Sequence, residues 1–456
     1  MAWYKDQLAP PARLGRARSF PSSAGCVPTR QFAGGGAAPH KRRSCAVSRQ
    51  ATFAAAAALA AGLVLPALAS ARSQPPTTIT VSAGDRAYPE TPVSVELPSP
   101  LPRGTYVLQP SDGTAPVPAQ TEVVNGKTRL TWIVPGLERG QTVTYRLVRA
   151  SGRSPASPNS GVVVRRQGPD AEILVNGKLF TRYVTEGANK PYYYPLVGPT
   201  GVEITRHFPM QKDVPGETKD HPHHRSFWFT HGSVNGVDYW SEGSKTGKTV
   251  NAAYEVLESG PVYGVLRTKV DWIAPDGAKV CQDVRELRVY NTAHGRMMDF
   301  DITVTAGDKP VTFGDTKEGS MGVRVASSMD VTGGKGHILN SQGDKDAATW
   351  SKRADWVDYW GPVAGKTVGI AMMDHPTSFR HPTYWHVRDY GLFAANPFGV
   401  HDFVKGAAEH AGDYTIPPGG TLVLRYRILL HEGDAQDARI ADVAAAYANP
   451  PTVEVR

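Results

Sequence analysis

The chain reads as an all-β protein: a small N-terminal immunoglobulin-like β-sandwich, then a large antiparallel β-supersandwich, then one short C-terminal helix. Three observations predict this. From Thr77 onward, alternating apolar and polar residues recur between Pro/Gly punctuation, the period-two signature of half-buried strands. Several runs, such as RMMDFDITVTA (296–306), are long and uninterrupted, which suits a large twisted sheet. Only 434–448 (DAQDARIADVAAAYA) carries apolar residues at helical spacing behind a capping residue, Asp434.

Residues 1–71 read as a leader and signal peptide. Lys41, Arg42, Arg43 and Arg49 precede the apolar run ATFAAAAALAAGLVLPALASA, and small residues at Ala67, Ala69 and Ala71 form A-x-A cleavage patterns. The run is Ala-dominated and followed by a polar Ser/Gln/Pro/Thr stretch, so cleavage is expected rather than anchoring in a membrane. The expected location is therefore periplasmic or extracellular. The leader holds nine of the 50 Lys/Arg and one of the 42 Asp/Glu, so its removal leaves 41 of each sign. The basic net charge of +8 belongs to the leader, and nucleic-acid binding through a basic surface loses its support. Cys26 and Cys45 leave with it, and Cys281 alone cannot form an internal disulfide.

Residues 76–150 form the small sandwich, from TTITVSA, PVSVELP, GTYVLQP, TRLTWIVP and TVTYRLVRA. The piece PGLERGQTVTYRLV resembles a tyrosine corner, with Tyr145 as its tyrosine. The stretch 151–161 (SGRSPASPNSG) is a linker by composition. Over 162–450 about a dozen strands follow, among them GVEITRHF (201–208), suggesting two large sheets packed face to face. Nucleotide-binding glycine loops, H-E-x-x-H, paired C-x-x-C and G-x-S-x-G are all missing from the sequence.

Chemistry concentrates in four segments. DHPHHRSFWFTHGSVNGVDYW (220–240) holds His221, His223, His224 and His231 among Arg225, Trp228, Asn235 and several aromatics. Imidazoles beside aromatics and a cation suit a polar ring-shaped ligand, and each needs a hydrogen-bond partner that an ordinary core would not supply. In an extended segment His221 and His223 share a face and His224 points opposite. Three readings stay open: a metal-free sugar site, a zinc, copper or iron site built on His221, His223 and His231, or a purely structural His-rich loop. The segment 374–403 supplies His381, Tyr384, His386, Arg388 and Asn396, a polar ladder that lines a groove or faces solvent. GDTKEGSMGVRVA (314–326) supplies Glu318 and, six residues on, Arg324: a candidate base with its cation, or a charged turn. SKRADWVDYWGPV (351–363) offers aromatics for a sugar platform or a core plug.

Together DHPHHR…WF.HG..NGVD.W, DTKEG…RV, R.DWVDYWG (353–361) and HP.Y.H.R.YGLFA.NPFG (381–399) resemble an exported bacterial family labelled "methane oxygenase PmoA". The resemblance implies a galactose mutarotase-like supersandwich that binds carbohydrate on a concave sheet face. It does not carry methane chemistry, because a particulate methane monooxygenase subunit is a multi-helix membrane protein. The main expectation is an exported carbohydrate-active enzyme acting by hydrolysis, elimination or epimerisation. Its catalytic residues would be His223, His224, His231, Glu318 and Tyr384. Its substrate would lie against His221, Arg225, Trp228, Asn235, Arg324, His381, His386, Arg388 and Asn396. A single carboxylate with histidine and tyrosine favours proton abstraction over two-carboxylate hydrolysis. The rivals are a metal-dependent oxidoreductase or hydrolase and a noncatalytic sugar-binding protein.

Overall fold

The computed structural model describes residues 77–102, 105–150 and 160–456. The leader and signal peptide expected at 1–71, and nearly all of the 151–161 linker, lie outside the described residues. The fold is all-β and antiparallel, as the strand periodicity predicts.

The N-terminal strands are hydrogen-bonded as one seven-stranded sheet. Its order is Thr91–Glu96, Lys127–Val134, Val117–Val124, Thr105–Pro110, Thr142–Arg149, Thr78–Ser82 and Thr452–Val455. The last strand comes from the C-terminal end of the sequence, which pairs Val455 with Ile79 and so returns to the first sheet. Ile79, Leu108, Leu130 and Trp132 are fully buried in one core. Tyr145 packs edge-on against Trp132, 6.3 Å between ring centres. The bond back to an upstream carbonyl is made instead by Tyr106, whose hydroxyl donates to Pro102 O at 2.7 Å.

Two eight-stranded sheets and a two-stranded one, Val311–Phe313 with Tyr414–Ile416, make up the rest. The front sheet runs Tyr384–Val387, Leu392–Asn396, Gly319–Arg324, Phe227–His231, Tyr192–Tyr193, Lys178–Val184, Asp170–Val175 and Val162–Gln167. The back sheet runs Lys248–Glu258, Tyr263–Ile273, Lys279–Tyr290, Arg296–Ala306, Thr421–Glu432, Lys366–Asp374, Trp356–Val363 and His337–Asn340. Successive strand residues point to opposite faces, and the inward set of each sheet meets between them. Phe227 packs on Phe300 at 5.0 Å and Phe229 on Trp272 at 5.9 Å. All four are fully buried, each phenylalanine contributing roughly 1.5–3 kcal/mol by burial.

Two expectations need correcting. The helix covers Ile440–Ala448, not 434–448, because Asp434 Oδ1 caps the amides of Gln436 and Asp437 in a preceding turn and Arg439 takes φ +51. Residues 201–208 form no strand and pair only through the bridges Val197–Glu203 and Thr205–Val325. That leaves Arg206 free to leave the sheet pattern and reach a neighbouring turn. Among the described residues no helix is long and apolar enough to cross a membrane.

Candidate functional site

The strand Phe227–His231 divides the opening motif between two environments. Phe227, Phe229 and His231 face the interior, whereas Trp228 and Thr230 face out. Across the outward face, one row of cross-strand neighbours is Trp228, Gly322, Ala394 and His386. A Cβ on Gly322 would lie 2.7 Å from the Trp228 ring, so only glycine lets the indole lie flat on the sheet. Arg324 occupies the next position along this face, opposite Leu392.

Above this floor sits the turn at 220–226. It is not extended: the His224 amide bonds to His221 O at 3.0 Å, and His221 adopts φ +43. A non-glycine residue there is strained, and Arg206 Nη2 secures it by donating to His221 O at 2.9 Å. The turn brings His221 and His224 face to face instead of pointing them apart. The result is a stack of four rings: Tyr390 on His221 (5.2 Å, 6°), His221 on His224 (4.8 Å, 7°) and His224 on Trp228 (5.5 Å, 19°). His223 meets His224 edge-on at 4.5 Å.

Asp220 organises this corner. Its Oδ1 accepts from Arg206 Nη1 at 2.6 Å and Arg324 Nη2 at 2.8 Å, and its Oδ2 accepts from His221 Nδ1 at 2.5 Å. Burial opposes ionisation of Asp220, but Arg324, His221 and Arg206 outweigh it and hold the carboxyl well below the usual range. An ionised carboxylate only accepts, so His221 holds a proton on Nδ1 toward Asp220 and turns Nε2 away from it. Arg324 Nη1 donates to His224 Nδ1 at 3.2 Å, which fixes the opposite tautomer there. Burial holds His224 well below its ordinary value, and pushes His223 down to about 4 with help from Lys190 and His221.

The 316–318 loop supplies the acid. His386 Nδ1 donates to Lys317 O at 2.6 Å, and Asn396 Nδ2 donates to Thr316 O and Lys317 O at 2.8 and 3.0 Å. These two residues position the loop. Glu318 is pushed above the usual carboxylate value by burial, against the pull of Lys317 and His221. The Tyr390 hydroxyl, raised by burial, feels Arg388, Arg324, Glu318 and Asp220 together. Arg388 lies over the Tyr390 ring at 5.4 Å and the Trp350 ring at 5.7 Å.

Thus His221, His223, His224, Trp228, Glu318, Arg324, His386, Arg388 and Asn396 belong to one face. Of the other candidates only Tyr384 shares it. His231 points inward against Phe313 and Phe398, fully buried, with Nε2 on Gly314 O at 2.7 Å and Nδ1 on Ser320 Oγ at 3.2 Å. The set His221, His223 and His231 is split by the sheet. Among the described residues, no three His, Cys, Asp or Glu side chains converge as metal ligands. Asn235 sits in a turn at φ +50, its Oδ1 accepting from the Thr312 amide at 2.7 Å. His381 bonds to Asp374 at 2.9 Å and lies 3.4 Å from Asp355, beside the C-terminal helix. Tyr384 is on the outward face but packs on Phe403, under Arg353. Arg225 forms a two-bond pair with Glu242, both contacts 2.7 Å, and so braces the wall.

Sequence reasoning singled out neither Asp220 nor Arg206 as a site residue. Asp220 opens the DHPHHR motif, and an Asp-His step is a usable signal for a carboxylate–imidazole pair. Arg206 gave none, because its role depends on leaving the expected strand. Buried Lys190, lowered to about 8 by burial, was also missed; its ammonium holds Trp240 O at 2.9 Å and Asn189 Oδ1 at 3.1 Å behind the site.

The fold and this corner define an all-β protein with an Asp–His–Arg cluster on the outward face of one sheet. Residues 170–445 match a family of unknown function, DUF6807, and the chain belongs to that family. No curated protein matches the chain.

Proposed function

We propose that the protein is an exported carbohydrate-active enzyme that works by proton transfer on the outward face of the front sheet. The observation that carries this is the Asp220–His221 dyad: a carboxylate accepts from one imidazole nitrogen and leaves the other turned away from it, on the face that also holds Glu318, whose acidity burial weakens. His221 Nε2 takes a proton from a sugar carbon. The released electron pair forms a C=C bond as the adjacent C–O bond breaks, and Glu318 gives its proton to the departing oxygen. Asp220 steadies the resulting imidazolium. The aromatic stack and Trp228 suit the apolar faces of a sugar ring. The motifs shared with the PmoA-labelled family, and its mutarotase-like architecture, support a carbohydrate ligand, and the residue 1–71 pattern supports export.

The test is a screen of glycosides and oligosaccharides against wild type, His221→Ala and Glu318→Gln, read by product mass. Products one water lighter than hydrolysis products, made by wild type and lost in both variants, support the reading. Hydrolysis products, or unchanged turnover in both variants, overturn it. Ligand binding without turnover would instead favour a noncatalytic sugar-binding protein.

A further inference from the structure

Arg388 differs from every other arginine of the site. Arg206 and Arg324 are committed to Asp220, and Arg225 to Glu242. Among the described residues no carboxylate lies within ion-pair distance of Arg388; its guanidinium is held by the faces of Tyr390 and Trp350 instead. A guanidinium held over ring faces keeps its edge N–H groups available to a ligand. The ring beneath it, Tyr390, also carries His221 at 5.2 Å. One aromatic ring therefore joins an uncommitted guanidinium to the free imidazole nitrogen of the dyad. Arg388 is half-buried at the rim, with Lys317 also contributing positive charge on this face.

We infer that the substrate is an acidic sugar, and that Arg388 binds its carboxylate through two parallel N–H···O bonds. This rests on the proton-transfer reading and deepens it. A carboxylate neutralised by the guanidinium acidifies the C–H bond beside it, the bond His221 would break. Arg388 would then decide specificity, rejecting neutral sugars that leave its fork unpaired.

Calorimetric titration of the purified protein with glucuronate and with glucose tests this, using wild type, Arg388→Gln and Arg388→Lys, each checked for an unchanged melting temperature. Glucuronate is expected to bind wild type at least ten-fold more tightly than glucose, about 1.4 kcal/mol. Arg388→Gln should abolish that difference and Arg388→Lys should restore part of it, since lysine keeps charge but not the fork. Equal affinities, no binding of either sugar, or glucuronate affinity untouched by Arg388→Gln overturn the inference. Wild-type turnover of neutral glycosides, unchanged in Arg388→Gln, would sink the acidic substrate and leave proton transfer standing. Glucuronate binding lost in Arg388→Gln, with no substrate turned over by wild type, would support the acid site and sink the catalysis.

Discussion

Two arginine–aspartate centres occupy opposite sheets of the same sandwich and serve different ends. On the back sheet, Asp283 takes Arg285 Nε and Nη2 at 2.8 and 3.0 Å and Trp272 Nε1 at 2.6 Å. Asp283 and Arg285 are 0 % and 1 % exposed, so both carboxylate oxygens are spent inside the protein. On the front sheet, Asp220 is 38 % exposed and passes its second oxygen to His221, itself 43 % exposed. The pairing chemistry is the same. What differs is one imidazole that carries the effect of the buried charges to solvent. A closed centre can only hold the fold; an open one can act on a ligand.

The largest effect that separates them is on stability. Asp283→Ala leaves the Arg285 guanidinium buried without its partner, which costs about 3–5 kcal/mol. Urea unfolding measures this, and a loss under about 1 kcal/mol would mean that water reaches the centre. His221→Ala should do the reverse. Because its ring is partly exposed, stability should change by less than about 1 kcal/mol, while turnover falls by roughly 10²–10⁴-fold, the usual worth of a general base. Asp220→Asn should lower turnover too, since an amide can donate to Nδ1 and move the imidazole proton to Nε2. If His221→Ala unfolds the protein and leaves the remaining folded fraction active, the two centres are alike after all.

Acid should expose a third contrast. Burial pushes His223, His231 and His386 down to about 4 from an ordinary value of 6.5. Between those limits the unfolded chain binds protons that the native state refuses, so stability falls as pH drops from about 6.5 toward 4. His231→Asn should flatten that fall, and because His231 is interior it should leave the pH profile of turnover in place. Glu318 works in the other direction. Its raised value keeps it protonated to higher pH, so turnover should decline on the alkaline side, and Glu318→Gln should remove that limb along with most of the activity. Melting temperature and rate across pH read the two effects separately.

How much of this was legible in the sequence follows the same division. Period-two alternation predicts Arg296–Ala306 to the residue, because that strand is long and one of its faces is buried. The same alternation, applied to FWFTH, turns His231 inward with Phe227 and Phe229. Strand parity makes the front-face membership of Arg324, His386 and Asn396 readable, whereas Glu318 and Arg388 lie just beyond strand ends. The dyad was less so. It depends on a turn that bends His221 onto His224 and on Arg206 crossing from a segment that only looks like a strand. Local pattern does not encode such crossings, since they are set by which buried charges must find partners.

The smallest expected effect concerns the floor beneath the open centre. Gly322 faces the Trp228 ring, and an added Cβ would approach three of its carbons at 2.7–3.0 Å. Trp228 is fully buried and cannot retreat without disturbing His224 above it and Trp240 beside it, 5.5 and 5.0 Å away between ring centres. Gly322→Ala should therefore cost about 1–3 kcal/mol through overpacking and tilt the four-ring stack. Turnover should fall only several-fold, because the Asp220–His221 bond does not pass through Trp228. The equivalent test on the closed centre is Phe229→Leu, which touches Arg285 from the interior at 5.3 Å and should lower stability with no change in rate per folded molecule. Equal losses of rate from both substitutions would show that the two sheets respond as one unit, and that the open centre owes its activity to the rigidity of the whole sandwich rather than to its own imidazole.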